Sequence, residues 1–144
     1  MTGKLDHICI FVEDLGKALP FYETLIGHGA PIIREVPELG LRLAFFTGQG
    51  GKIVELVEAS AKSELKHGDV VVAMEVEDLE AEIDRLRAAG IKVHHQKPTA
   101  NLPLHRGWIT KTDGFGTIIE LCPKDEVARF VAGKSIVDRA AAPN

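Results

Sequence analysis

Residues 12–15 read Val-Glu-Asp-Leu, and the same four residues return at positions 76–79. Each copy follows an apolar run typical of a buried strand, and each leads into a helical pattern of apolar residues. A second match lies further on, between Lys-Ile-Val-Glu-Leu at 52–56 and Thr-Ile-Ile-Glu-Leu at 117–121. The offsets of 64 and 65 residues are nearly the same. Chance similarity of short apolar segments explains this poorly, so we predict a duplicated module.

Each module is predicted to run strand, helix, strand, strand, strand. In the second module, Asp78 is placed to cap the helix and Gly90 to end it, and Gly27 follows the corresponding helix in the first. Between the helix and the last strand, each module has room for two more strands, which we expect over residues 31–36, 41–47, 92–96 and 107–112. The predicted fold class is α+β, with two tandem βαβββ modules.

Length and composition limit the classes of protein to consider. The chain has 144 residues, of which 45% are hydrophobic and 26% charged, which predicts one globular domain over 1–144. Within it we expect module 1 over about 4–60, module 2 over about 68–123, and a C-terminal helix and tail over 124–144. The net charge of −4 argues against a nucleic-acid partner. The sequence shows neither a membrane-length apolar run nor a secretion signal, so we expect a cytoplasmic protein with no membrane partner.

Two glutamates stand at equivalent points of the two final apolar strands. Glu55 lies in Ile-Val-Glu-Leu-Val, and Glu120 lies in Ile-Ile-Glu-Leu-Cys. A carboxylate inside a buried strand needs a partner, and two like charges brought together are usually stabilised by a divalent cation. The alternative is that both glutamates lie on edge strands and face solvent.

His7 opens the first apolar strand and is a candidate nitrogen ligand for a cation held by the two glutamates. The alternative is a packed, hydrogen-bonded histidine. The equivalent position 64 residues later is Val71, so the second module has no imidazole there. Cys9 shares a strand face with His7, and Cys122 shares one with Glu120; we expect both cysteines to be small hydrophobic residues.

A loop is expected around Pro103, where His105 and Arg106 face either an anionic substrate or solvent. His94 and His95 are adjacent, so they point to opposite faces of a strand.

An ordered set of segments resembles the vicinal-oxygen-chelate superfamily, which includes the glyoxalase and bleomycin-resistance proteins. The segments are Leu5-Asp6-His7-Ile8, Val12-Glu13-Asp14-Leu15, Phe21-Tyr22, Leu25-Ile26-Gly27 and Asp113-Gly114-Phe115-Gly116-Thr117-Ile118-Ile119-Glu120-Leu121. The resemblance implies that the two modules form a cupped mixed sheet around one central cavity that holds a metal.

Within that superfamily the chain looks most like methylmalonyl-CoA epimerases and next like glyoxalase I. By resemblance, the ligand positions are His7, Glu55, Val71 and Glu120, and both families normally carry histidine where this chain has Val71. Glutamate at position 55 is glyoxalase-like. The implied ligands are therefore His7, Glu55 and Glu120, around one divalent metal (Mn²⁺, Co²⁺, Ni²⁺, Zn²⁺ or Mg²⁺). One nitrogen and two carboxylates favour Mn²⁺, Co²⁺ or Mg²⁺ without excluding Zn²⁺.

The activity implied by the resemblance is removal of a proton from the carbon next to a carbonyl group, with the enolate stabilised by the metal. Glu120 and Glu38 would be the two catalytic bases of an epimerase; the alternative for Glu38 is a solvated turn residue after Pro37. The implied substrate is a small molecule, either an acyl-CoA or another carbonyl compound, and a homodimer is expected.

Three other functions compete with an epimerase. A lactoylglutathione lyase of the glyoxalase I type would use the same chemistry. A metal-free, resistance-type binding protein would explain Val71, but it would not need two carboxylates in apolar strands. A ring-cleaving dioxygenase is disfavoured because its iron site requires two histidines.

Overall fold

The computed structural model describes residues 3–27, 30–37, 40–47, 53–60, 64–99 and 105–132. Across these ranges the elements, in chain order, are β1 (Lys4–Val12), α1 (Leu15–Ile26), β2 (Ile32–Val36), β3 (Leu41–Phe46), β4 (Ile53–Glu58), β5 (Val70–Val76), α2 (Leu79–Ala88), β6 (His94–Gln96), β7 (Arg106–Ile109), β8 (Ile118–Pro123) and α3 (Glu126–Val131). In this part of the chain, no helix is both long and apolar enough to cross a membrane.

The chain folds into two compact units. The first unit is His7–Val71, and the second unit comprises Met1–Asp6 and Val72–Asn144. In the first unit the strands are ordered β1-β4-β3-β2, with β1 parallel to β4 and the other pairs antiparallel. In the second unit the order is β5-β8-β7-β6. The same strand-helix-strand-strand-strand order and the same strand adjacency thus occur twice, which confirms the predicted α+β fold of two βαβββ modules.

Equivalent aspartates begin the two long helices. The side chain of Asp14 accepts a hydrogen bond from the backbone N–H of Lys17 at 3.1 Å, and Asp78 accepts one from Ala81 at 3.1 Å. Each carboxylate satisfies a backbone donor that the first turn of a helix leaves without a partner. The repeated Glu-Asp-Leu is therefore a helix-start signal in both units. Gly27 caps the C-terminal end of α1, and its positive φ of 70° suits a residue without a side chain.

The helix in each unit packs on one face of that unit's strands. In the first unit this apolar cluster contains Val12, Leu15, Ala44, Phe46 and Leu56. In the second unit it contains Val76, Leu79, Ile83, Val93, Ile109 and Leu121. Since successive strand residues alternate in direction, the intervening residues lie on the opposite face. Glu55 and Glu120 both belong to that opposite face of their own unit.

Candidate metal centre

The register of β1 and β4 brings three potential ligands together in the first unit. Cys9 lies directly opposite Glu55, and His7 lies two residues earlier on the same face of β1. His7 Nε2 is 3.1 Å from Glu55 Oε1, and the Cys9 thiol donates a hydrogen bond to the same oxygen at 3.0 Å. One carboxylate oxygen therefore bonds to both neighbours.

All three residues of this group are buried. Relative exposures are 3% for His7, 7% for Cys9 and 8% for Glu55. One nitrogen, one sulfur and one carboxylate oxygen, one from each residue, lie within 4.8 Å of one another. These are the atom types that bind divalent transition metals in proteins, and their spacing is compatible with a single ion. The group therefore fits the cation that the superfamily resemblance implies.

Glu120 has a different partner in the second unit. Its Oε2 accepts a hydrogen bond from Arg106 Nε at 2.8 Å, and the two side chains are 12% and 7% exposed. Arg106 also forms an ion pair with Glu126 and donates to the backbone carbonyl of His105 at 2.9 Å. One guanidinium thus bonds to two carboxylates and a carbonyl in a buried site.

Neither repeat glutamate faces solvent from an edge strand. Glu55 lies on β4, which is flanked by β1 and β3, and Glu120 lies on β8, which is flanked by β5 and β7. The side chains of the two glutamates are only 11% and 12% exposed, respectively. This excludes the solvent-facing alternative for both glutamates.

The surroundings of Arg106 also change its acid–base properties and those of Cys122. Burial by itself would lower the pKa of Arg106, but the negative charge of Glu120, and after it that of Glu126, raises it above its ordinary value. Burial, and after it the charge of Glu120, raises the pKa of the Cys122 thiol well above its ordinary value. Arg106 is therefore a permanent cation, and Cys122 is held as a neutral thiol.

The expectation for Arg106 was wrong. It is neither in a loop nor at the surface: it is the first residue of β7 and is 5% exposed. The register of β7 against β8 explains why Arg106 contacts Glu120. Trp108 pairs with Glu120, so the residue two positions before Trp108 lies on the same face as Glu120.

The other predicted site residues fall in different places. Val71 is a buried residue of β5, with 1% exposure. Glu38 lies outside the residues that the structure describes. The sequence interpretation missed Cys9 as a polar partner, although it placed Cys9 on the same strand face as His7.

Two histidines of the second unit contact each other. The Nε2 atoms of His95 and His105 are 2.7 Å apart, and the rings are stacked with centroids 4.9 Å apart. Burial lowers the pKa of His105, and the neighbouring His95 lowers it further. His105 therefore resists protonation.

Comparison with known proteins finds enzymes among the relatives of this chain and solved structures with a similar fold. The chain is 30% identical over 105 residues to an ethylmalonyl-CoA/methylmalonyl-CoA epimerase from Cereibacter sphaeroides, covering 65% of this chain and 75% of that protein. It is 28% identical to a probable lactoylglutathione lyase from Vibrio parahaemolyticus, covering 92% and 99%. The crystal structure of methylmalonyl-CoA epimerase from Mycobacterium tuberculosis matches with a TM-score of 0.66 and 26% identity, over 83% of this chain and 87% of that one.

The family model described as the Glyoxalase/Bleomycin resistance protein/Dioxygenase superfamily matches residues 4–121. This range spans both βαβββ modules, from β1 into β8. The chain therefore belongs to the glyoxalase/bleomycin resistance protein/dioxygenase superfamily.

Proposed function

We propose that this protein is a metal-dependent enzyme that removes a proton from the carbon next to a carbonyl group, and that its substrate is a CoA thioester of the methylmalonyl or ethylmalonyl type. The observation that carries the proposal is the buried group formed by His7, Cys9 and Glu55. Burying a carboxylate is costly unless its charge is compensated, and a bound divalent cation would compensate it. The epimerase among the relatives supplies the substrate class.

In this proposal His7 and Glu55 hold the cation, and Glu120 stays the predicted third ligand. A divalent ion acts as a Lewis acid that lowers the energy of negative charge on a carbonyl oxygen. Glu38 and Glu120 are the proposed proton carriers. One carboxylate takes the proton as the C–H bond breaks, and the electron pair moves toward the carbonyl oxygen. Return of a proton from the other side inverts the carbon.

A second candidate function is a lactoylglutathione lyase. It is favoured by the relative from Vibrio parahaemolyticus, which matches over 99% of its length, and by the glyoxalase-like glutamate at position 55. It needs the same proton removal but a different substrate, the hemithioacetal of methylglyoxal and glutathione. The cytoplasmic location and the homodimer predicted from the sequence belong to both proposals.

Proton exchange in D₂O tests the proposal directly. Chelator-treated protein is incubated with methylmalonyl-CoA, with ethylmalonyl-CoA or with the hemithioacetal, with and without added divalent metal, and loss of the proton next to the carbonyl is followed by NMR. We expect metal-dependent exchange with a CoA thioester and its loss in Glu55→Ala. Glu35→Gln is the matched control, because Glu35 is an exposed strand glutamate.

Each alternative outcome has a distinct meaning. Turnover of the hemithioacetal alone would establish the lyase in place of the epimerase. Absence of exchange with every substrate and every metal, in protein that remains folded, would contradict both proposals.

A further inference from the structure

Cys9 belongs to the buried donor group, although the superfamily resemblance gives it no role. Its thiol bonds to the same oxygen of Glu55 that His7 approaches, at 3.0 Å and 3.1 Å respectively. The parallel register of β1 and β4 fixes this arrangement, because Cys9 and Glu55 are direct neighbours across the strands. The sulfur is therefore held beside the two predicted ligands by the fold itself.

The second repeat has no thiol at the position equivalent to Cys9. The equivalent position 64 residues later is Ala73, which is completely buried. The second repeat therefore has an alanine in place of Cys9, and it has Val71 in place of His7. The thiol and the imidazole occur together in the repeat whose glutamate they contact, and both are replaced by apolar side chains in the other repeat.

We infer that Cys9 is a thiolate ligand of the divalent cation, together with His7 and Glu55, and that this donor set selects Zn²⁺ or Co²⁺ over Mg²⁺ and Mn²⁺. The inference rests on the proposed function, in which the first unit holds a divalent cation. Thiolate and imidazole are soft and borderline donors that suit Zn²⁺, whereas Mg²⁺ and Mn²⁺ prefer oxygen ligands. The predicted set of one nitrogen and two carboxylates favoured the harder ions.

The ligand exchange balances without an oxidant or a reductant. As the ion binds, the S–H bond of Cys9 breaks, the proton goes to solvent, and the sulfur keeps the electron pair that it donates to the ion. The hydrogen bond from the thiol to Glu55 is lost in the same step. Zn²⁺ binding is therefore expected to release a proton to solvent.

Titration with Co²⁺ alone tests the inference, because a thiolate bound to Co²⁺ gives a near-ultraviolet charge-transfer absorption that oxygen and nitrogen ligands do not. Wild type, Cys9→Ala and Cys122→Ala are compared; Cys122 is a buried cysteine of the second unit and serves as the matched control. We expect the absorption in wild type and Cys122→Ala and its loss in Cys9→Ala. Competition with Zn²⁺ should show an affinity at least about tenfold weaker in Cys9→Ala.

The outcomes separate this inference from the proposed function. Binding of Co²⁺ without the thiolate absorption, or an absorption that persists in Cys9→Ala, would overturn the role of Cys9 and leave the proposed function standing. The thiolate absorption without any proton exchange would support the role of Cys9 and contradict the proposed function. If Cys9→Ala does not fold, alkylation of wild type followed by peptide mapping replaces it. Cys9 should be labelled more slowly with Zn²⁺ than without it, and labelling at equal rates would overturn the inference.

Discussion

Glu55 and Glu120 occupy equivalent positions in the two repeats, but they bond to different groups. Glu55 bonds to His7 and Cys9, which come from the adjacent parallel strand β1. Glu120 bonds to Arg106, which comes from the adjacent antiparallel strand β7. The fold is thus repeated, whereas the partner of the buried carboxylate is not.

Each repeat has polar partners for its own glutamate and apolar residues at the positions where the other repeat has its polar partners. Where the first repeat has His7 and Cys9, the second has Val71 and Ala73. In the second repeat, Arg106 lies two residues before the residue that pairs with Glu120 across the strands. At the corresponding place in the first repeat, two residues before the residue that pairs with Glu55, lies the apolar Leu43. A buried carboxylate requires compensation of its charge. In the second unit Arg106 supplies the compensating positive charge, and in the first unit we propose that a bound divalent cation does so.

Removing Arg106 should produce the largest loss of stability. Arg106→Leu leaves Glu120 and Glu126 buried without their guanidinium, which we expect to lower the free energy of unfolding by about 3–5 kcal/mol. Denaturant unfolding measures the change. The matched control is Arg85→Leu, which removes an arginine that bonds to Glu82 but is 46% exposed, and it should lower the free energy of unfolding by at most about 1 kcal/mol. Equal losses in the two variants would show that Glu120 does not depend on Arg106.

Restoring the superfamily's histidine in place of Val71 should have opposite effects on stability and on metal binding. Val71 is 1% exposed, so the larger, polar side chain of Val71→His should lower the free energy of unfolding of the metal-free protein by about 1–3 kcal/mol. An added nitrogen ligand should strengthen Zn²⁺ binding and recover stability when Zn²⁺ is present. Thermal unfolding with and without Zn²⁺ measures both effects. Val71→Leu, which adds bulk without a ligand, should lose stability and recover none; recovery in Val71→Leu as well would contradict this interpretation.

The smallest expected effect concerns the histidines of the second unit, which contact each other instead of a buried glutamate. The pKa of His105 is lowered by burial and by His95, then raised in part by Glu80 and Glu126 and lowered by Arg106. Because the folded pKa lies below the unfolded one, the unfolded chain binds more protons between them. Stability is therefore lost as the pH falls from the unfolded value of about 6.5 toward the folded one.

A substitution isolates this contribution. The difference in unfolding free energy between wild type and His105→Asn, followed as the pH is lowered from neutral toward 5, should shrink or reverse as the wild type loses the contribution of its neutral histidine. A difference that does not change with pH would contradict the assigned direction of the pKa shift.

The fold was predicted well from the sequence repeat, because helix starts and strand positions depend on local and periodic signals. Asp78 was predicted to cap a helix, and the apolar runs around Glu55 and Glu120 were predicted as the last strands of the two modules, which are β4 and β8. The strands between them were also predicted near their observed bounds, although β6 is shorter, with three residues. Such features are set by residues close together in the sequence.

The partners of the buried glutamates were harder to predict, because they depend on pairing between distant strands. Cys9 and Glu55 are 46 residues apart, and the sequence alone does not set which residue of β1 lies opposite Glu55. Arg106 follows a proline-containing segment and was assigned to a loop, although β7 begins at that residue. One position of register decides whether a side chain faces the helix or the buried glutamate.

The most direct test of this account is the divalent-metal content and affinity of wild type beside Glu55→Ala and its repeat-equivalent partner Glu120→Ala, measured by elemental analysis and titration with Zn²⁺ and Co²⁺. We predict about one ion per chain in wild type. The ion should be lost in Glu55→Ala and retained with weaker affinity in Glu120→Ala, whose carboxylate already has Arg106 as a partner. A folded wild type that binds no ion, or a Glu55→Ala protein that binds as tightly as wild type, would contradict the assignment of the first unit as the cation site.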